Sequence, residues 1–264
     1  MITTITIIFF VLGLIIGSFL NVVIIRLNTE RTLGGRSGCM SCGHTLSWCE
    51  LIPVFSFLFL GGRCLKCKAK ISMQYPLVEL LTGLIFAALF LKFQDIFFLN
   101  TLVFSFTYAY YAAIFSLLVV IAVYDLRHKI IPDVLSIVLG VLGFIGLFFI
   151  NTNGYISFIL HLPTLLNFLS GLIVAAPFAF FFFVSRGAWM GLGDAKLAIG
   201  LGWVLGLSRA VSGVVLAFWI GAAVGIFLVL FSKNHGMKSE IPFAPYLVLG
   251  TLLAFLFELH LFGI

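Results

Sequence analysis

Nine acidic residues in a chain of 264 can be weighed one at a time, and three stand where a charge is expensive. Asp125 closes the apolar run VVIAVY and is followed by LRHKIIPD, which puts Asp133 directly after Pro132. Asp194 lies in MGLGDAK, between AAPFAFFFFV and LAIGLGWVLG. Two carboxylates brought together in a poorly solvated place share one proton, because repulsion disfavours ionising both. Such a pair supplies a base that activates water and an acid that protonates a leaving amine, which is aspartic-peptidase chemistry. Gly191 and Gly193 lack a Cβ and would let a substrate strand or a neighbouring helix run close to Asp194. Structural duties compete with this reading. Asp133 after Pro132 has the position of a helix N-terminal cap, with a supporting role at the site as its second reading. Asp194 also opens a helix, and Asp125 has Arg127, His128 and Lys129 nearby as ion-pair partners.

Cysteine offers a second chemistry. CMSCGHTLSWC and CLKCKAK hold two CxxC pairs, Cys39 with Cys42 and Cys64 with Cys67. Two thiolates three residues apart on a tight knuckle fill two corners of a tetrahedral Zn²⁺ site, and a second knuckle fills the others. A site closed by four cysteines is structural and leaves no open position for catalysis. The fifth cysteine, Cys49 beside Trp48, reads as a small apolar side chain, and His44 as a solvated loop histidine. Glu79 lies just inside an apolar run, either as an interfacial carboxylate that snorkels or pairs with a basic residue, or facing a functional cavity. Asp95, Glu30 and Glu240 fall in polar loops, and Glu258 near the end of the last apolar run.

These groups need elements to position them, and the composition decides which. The chain is 62% hydrophobic and only 9% charged, against about 25% charged for a soluble protein. It is an integral membrane protein. Its 31 Phe and 26 Gly suit helices packed in lipid, where Gly lets backbones approach closely. Runs near the spanning length of about 20 residues fall at 2–25, 76–93, 98–124, 134–151, 163–184, 194–208, 210–231 and 243–262. The expected fold is therefore an all-α polytopic membrane protein of about eight transmembrane helices, with a zinc-knuckle insertion between the first two. Its parts are a first helix at 1–26, a loop domain at 27–75 and a transmembrane bundle at 76–264. The N-terminal run has no basic start and no small-residue cleavage site, so it reads as a retained helix and not a signal peptide.

Lys and Arg set the orientation. With the N-terminus outside, only Lys92 and Arg209 of the fifteen Lys and Arg residues face outward. The rest, among them Arg31, Lys233 and Lys238, fall on the cytoplasmic side. That bias accounts for the formal charge of +6 without a nucleic-acid partner. The cysteine loop then faces a reducing cytoplasm, which argues against disulfides. The third helix runs inward and ends at Asp125, while the sixth runs outward and begins at Asp194. Both carboxylates are thus expected at one depth, where ionisable groups line a bundle interior or a wet cavity. A proton-coupled transporter would use the same pair as a relay, but it needs further ionisable groups deeper in the bilayer, and the chain has almost none. A non-enzymatic assembly factor docking through the zinc module would leave the aspartates without a purpose.

Six stretches in order carry a resemblance: GSFLNVVIIRL at 17–27, the paired knuckles, ELIPVFSFLFLGGRC at 50–64, ISMQYPLVELLTG at 71–83, DLRHKIIPD at 125–133 and GLGDAKL at 191–197. They resemble the bacterial type IV prepilin peptidases, the leader peptidase/N-methyltransferases of the GxGD aspartic peptidase group. The resemblance implies a bifunctional enzyme of the bacterial cytoplasmic (inner) membrane. Its substrates would be prepilins or pseudopilins, cut after a leader glycine on the cytoplasmic side, with Asp125 and Asp194 as the catalytic pair. It also implies methylation of the new amino terminus, usually phenylalanine, from S-adenosylmethionine, in a system that builds pili, secretes proteins or takes up DNA. Relatives without the cytoplasmic extension generally do not methylate, so a peptidase without methyl transfer is the alternative that the extension argues against. No Gly-rich Rossmann fingerprint is present, which leaves Glu50 and Glu79 as candidates for the methyl-donor site. Two departures stand out: LNTERTLGG follows Arg26 where relatives often have an early proline, and Cys49 sits where an aromatic is common.

Overall fold

The computed structural model describes residues 1–29, 32, 34–151, 154–231 and 241–261, so Glu30, Arg31, Lys233, Lys238 and Glu240 lie outside the described residues. Among those described, the chain is helical, with only isolated β-bridges. The helices are α1 (Ile2–Arg26), the short α2 (Phe55–Phe59), α3 (Gln74–Leu99), α4 (Thr101–His128), α5 (Asp133–Phe149), α6 (Leu165–Ser185), α7 (Leu192–Leu205), α8 (Leu207–Phe231) and α9 (Ala244–Leu256). Every expected apolar run appears as a helix. Five of them, α1, α3, α4, α6 and α8, are long and apolar enough to cross a membrane. The others are shorter; α5 and α7 come within a residue of the expected lengths, and α9, at 13 residues, falls well short of its run at 243–262. At 14 residues, α7 is only about 21 Å long at 1.5 Å per residue, against about 30 Å of hydrocarbon.

The chain divides into two compact units. The first comprises residues 1–98 and 111–120, and the second 99–110 and 121–264. In the first, α1 lies close against α3. A Cβ on Gly13 would come 2.8 Å from the Gly83 Cα, and one on Gly17 2.8 Å from the Glu79 Cα. Stacked rings hold the same unit together, Phe9 on Phe90 with centroids 4.8 Å apart and Phe93 on Tyr111 at 5.3 Å.

In the second unit α7 is the central element, in contact with α5, α6, α8 and α9. Its sequence LGDAKLAIGLGWVL explains why. Small residues recur along it, and most of its side chains are buried, from Asp194 to Leu205. The approach to α6 is backbone to backbone: a Cβ on Gly202 would lie 2.6 Å from the Gly171 Cα. Ser170 Oγ donates to the Gly202 carbonyl at 2.9 Å, a bond available only at that spacing. Local signals set the ends of the helices that lead into the acidic segments. Asn100 caps α4 through bonds from the Leu102 and Val103 amides, and Thr164 caps α6 from the Asn167 amide. Both helices end on a left-handed residue, Lys129 (φ 54°) and Arg186 (φ 52°), where the chain turns toward IIPD and GLGD.

Gly202→Ala is expected to push α7 off α6 and to cost about 1–3 kcal/mol, the usual range for overpacking. Gly140→Ala, whose Cβ would meet nothing nearer than 3.9 Å, is the matched control. A thermal melt of the two variants in detergent checks this, and equal midpoints would contradict it.

Candidate active site and metal centre

Asp125 and Asp194 are both buried, 5% and 9% exposed, within the second unit. Asp125 comes from the last turn of α4 and Asp194 from the first turn of α7. The two carboxylates act on one another electrostatically. Capping does not account for either. The N-cap of α7 is Gly191, and no side chain caps that helix. Asp125 instead accepts a hydrogen bond on Oδ2 from the Ala244 amide, 3.2 Å away.

That amide is the functional group sequence reasoning missed. Ala244 is the first residue of α9, in the segment IPFAPYL. First-turn amides have no partner inside their own helix, and Pro245 removes the next donor while preorganising the turn. A helix start whose free N–H must bond to something was therefore readable in the two prolines. That its partner is Asp125, 119 residues earlier, was not.

Gly193 allows α7 to start close to the IIPD segment that leads into α5, since a Cβ there would lie 3.1 Å from the Ile131 Cβ. Gly191 has no such constraint: a Cβ would meet nothing within 3.9 Å. Asp133 opens α5, but the N-cap is Pro132 and no side chain caps the helix. Its carboxylate instead accepts a bond from Lys196 Nζ at 2.7 Å, on the surface. An exposed pair of this kind is worth about 0–1 kcal/mol; it links the start of α5 to the first turns of α7. Beside it, an apolar groove of about 360 Å³ between these helices is lined by Ser136, Gly140, Phe144, Lys196, Ile199 and Trp203.

The cysteines converge as their spacing requires. The Sγ atoms of Cys39, Cys42, Cys64 and Cys67 all lie within 4.8 Å of one another, with Cys39 and Cys67 at 3.7 Å. A tetrahedral thiolate site around an ion of zinc's size, with metal–sulfur bonds of about 2.3 Å, has edges of about 3.8 Å. The residues fit. The two knuckles repeat one backbone pattern. The Cys39 amide donates to the His44 carbonyl and Gly43 back to Cys39; the Cys64 amide donates to Ala69 and Lys68 back to Cys64. Gly43 (φ 68°) and Lys68 (φ 59°) occupy the same left-handed corner of each. Amides of Cys42 and Ser41 pull the Cys39 thiol down to about 6. The Cys67 thiol is pushed up to about 11: the Ala69 amide works to lower it, but burial and the three neighbouring thiols outweigh that amide.

Between the knuckles, Trp48–Leu51 forms a 3₁₀ turn closed by a capping box. Glu50 Oε2 accepts from the Ser47 amide at 2.9 Å and the Ser47 hydroxyl at 3.0 Å, with His44 Nε2 at 3.3 Å. These partners, the Ser47 amide first, hold the Glu50 carboxyl below its ordinary value. His44 is thus engaged by a carboxylate and not simply solvated. Cys49 is exposed, contrary to the apolar reading, because this turn buries the side chain of Glu50 and not that of its neighbour. Glu79 does not snorkel, and among the described residues it takes no basic partner. It is 7% exposed and accepts from the Val54 amide at 2.7 Å. Val54 is a β-branched residue held at φ 62°, a conformation that needs outside support.

Two families of known proteins match the chain. The bacterial peptidase A24 N-terminal domain matches residues 11–93, and the type IV leader peptidase family matches residues 112–226. A prepilin leader peptidase/N-methyltransferase of Myxococcus xanthus is 38% identical over 242 residues, covering 88% of this chain and 65% of the relative. One of Bacillus subtilis is 32% identical over 255 residues, covering 95% and 93%. One of Aeromonas hydrophila is 33% identical over 275 residues, covering 94% and 89%. No solved structure matches significantly.

Two outcomes test these sites. Elemental analysis of the purified chain is expected to find one metal ion per molecule, falling below about a tenth in Cys39→Ser/Cys64→Ser; undiminished metal would place the ion elsewhere. Glu79→Ala leaves the Val54 amide without its partner, at a cost of about 1–3 kcal/mol, and limited proteolysis within residues 52–62 is expected to accelerate. Unchanged cleavage there would remove the anchoring role. With the helices, the aspartate pair and the knuckles in place, these matches settle the lineage: the chain belongs to the bacterial type IV leader peptidase family.

Proposed function

We propose that this chain cleaves the leader from type IV prepilins or pseudopilins after a glycine, and then methylates the new amino terminus. The observation that carries the reading is the burial of Asp125 and Asp194 together in one unit, with the Ala244 amide on Asp125. Its relatives are named for both activities. In the proposed orientation, the N-terminus faces outside and both the aspartates and the cysteine loop face the cytoplasm of a bacterial inner membrane. The bias of Lys and Arg supports this.

The chemistry follows from the pair. A water held between Asp125 and Asp194 attacks the carbonyl of the scissile peptide. One carboxylate takes the water's proton; the other polarises the carbonyl and protonates the leaving nitrogen. The Ala244 N–H fixes the orientation of Asp125, so the pair is preset before substrate arrives. Gly193 keeps the backbone close at the start of α7, and Asp133 assists by holding Lys196. The apolar helix of the substrate lies against the bundle, and the groove between α5 and α7 has the right lining and begins beside Lys196.

The cysteine cluster holds a structural Zn²⁺, which ties the two knuckles into one loop domain and leaves no position for catalysis. S-adenosylmethionine, when bound, supplies the methyl group. Residues of the loop domain, with Glu50 and Glu79 as candidates, bring that donor and the freed amine together, where proximity provides much of the rate.

Incubation of the purified enzyme with a prepilin and S-adenosylmethionine is expected to yield a product that has lost its leader and gained one methyl mass. Asp125→Asn or Asp194→Asn alone is expected to lower cleavage at least a thousandfold. Cleavage surviving either change would sink the dyad. Cleavage without the added methyl mass would leave a peptidase only.

A further inference from the structure

The cytoplasmic loop contains a cavity that neither peptide cleavage nor metal binding uses. It measures about 270 Å³ and is lined by Glu50, Ile52, Phe55, Phe59, Leu60 and Leu65, within the first unit. The Glu50 side chain is 5% exposed, under a thin layer of loop. One of its oxygens, Oε2, is fully engaged by Ser47 and His44. The other, Oε1, is buried and has no hydrogen-bond partner among the described residues. A buried carboxylate oxygen left unpaired carries a desolvation cost that a protein keeps only for a reason. The turn itself does not need it, because the capping box is satisfied by Oε2 alone.

We propose that this cavity is the binding site of the methyl acceptor. The apolar side chain of the cleaved substrate's first residue fills the space among Phe55, Phe59, Leu60 and Leu65, and its α-amine is met by the carboxylate of Glu50, which lines the cavity. The assignment rests on the methyl-transfer half of the function proposed above. Charge movement decides between acceptor and donor as the occupant. The acceptor's ammonium group first gives one proton to water, and the lone pair so freed forms the N–CH₃ bond as the S–CH₃ bond of the sulfonium donor breaks. The electron pair of that bond stays on sulfur, which leaves as a neutral thioether. Positive charge passes to nitrogen. A carboxylate beside nitrogen stabilises the state in which charge has arrived there. A carboxylate beside sulfur would stabilise the starting state instead and slow the step. Glu50 therefore belongs with the amine. The lining agrees, since an aromatic or aliphatic side chain beside an ammonium group matches an apolar cavity with one carboxylate.

The test uses the full-length enzyme in detergent and phenylalaninamide as a probe of the acceptor, with N-acetylphenylalaninamide as the uncharged control. Calorimetry without any methyl donor is expected to show that phenylalaninamide binds, that the acetylated control binds at least tenfold more weakly, and that Glu50→Gln weakens the probe at least tenfold. Glutamine keeps the carbonyl that accepts the Ser47 amide, and an unchanged metal content shows that the loop is folded. In methylation of an already cleaved pilin, Glu50→Gln is expected to raise KM for the pilin at least tenfold and leave KM for S-adenosylmethionine unchanged. Phenylalaninamide should compete with the pilin and not with the donor. Competition with S-adenosylmethionine, or a raised KM for it alone, would assign the cavity to the donor and overturn the proposal. Equal binding of both probes to both proteins would overturn it as well. An enzyme that methylates nothing even with Glu50 intact contradicts the parent reading and not this assignment.

Discussion

Everything in the second unit depends on burying two carboxylates, Asp125 and Asp194, where ionising both is disfavoured. A carboxylate moved from water into a low-dielectric interior loses solvation worth several kcal/mol, and a second one beside it adds repulsion. Asp125 and Asp194 are held there because the surrounding helices leave them no other position. Asp194 is in the first turn of α7, which is packed on four sides and shorter than a membrane span. Asp125 is in the last turn of α4 and is met by the free amide at the start of α9. Helix ends converge on the pair, and helix ends are where unpaired backbone groups are available to answer a charge.

This constraint explains features that otherwise look unrelated. The small residues of α7 let α5 and α6 approach to backbone contact, which fixes the depth of Asp194. The left-handed caps Lys129 and Arg186 stop α4 and α6 abruptly, so that the chain can bring IIPD and GLGD alongside the pair. The loop domain follows a different logic. It has too few residues to build an apolar core, and it relies on four thiols gathered within 4.8 Å and on carboxylates that stitch its turns. Glu79 holds the strained Val54, and Glu50 closes the 3₁₀ turn. One oxygen of Glu50 has no hydrogen-bond partner among the described residues.

Much of this was legible in the sequence. Apolar runs located the helices because a lipid-facing helix needs little else, and CxxC spacing located the cysteine cluster because a knuckle is a local structure. The carboxylate pair was legible once Lys and Arg had assigned sides to the loops. What escaped were contacts between segments distant in the chain. The Ala244 amide on Asp125 and the Val54 amide on Glu79 are backbone donors, and backbone donors carry no residue-type signature. Two local readings also changed. Asp133 and Asp194 sit at helix starts as expected but do not cap them, since a cap is defined by one bond that sequence cannot display. The short α7 was legible, because the run at 194–208 ends close before the next one at 210–231, and the turn at Gly206 divides the two helices.

The central claim is that Asp125 and Asp194 act on one reacting atom. A peptide spanning the leader junction, with a hydroxyethylene group in place of the scissile amide, puts a hydroxyl where that atom would be. Calorimetry against the intact enzyme is expected to give one tight site per chain. Binding is expected to fall at least a hundredfold when either aspartate is replaced by asparagine, because the hydroxyl needs both carboxylates. Binding that ignores one of the two replacements would contradict the account, since the aspartates would then not share a site.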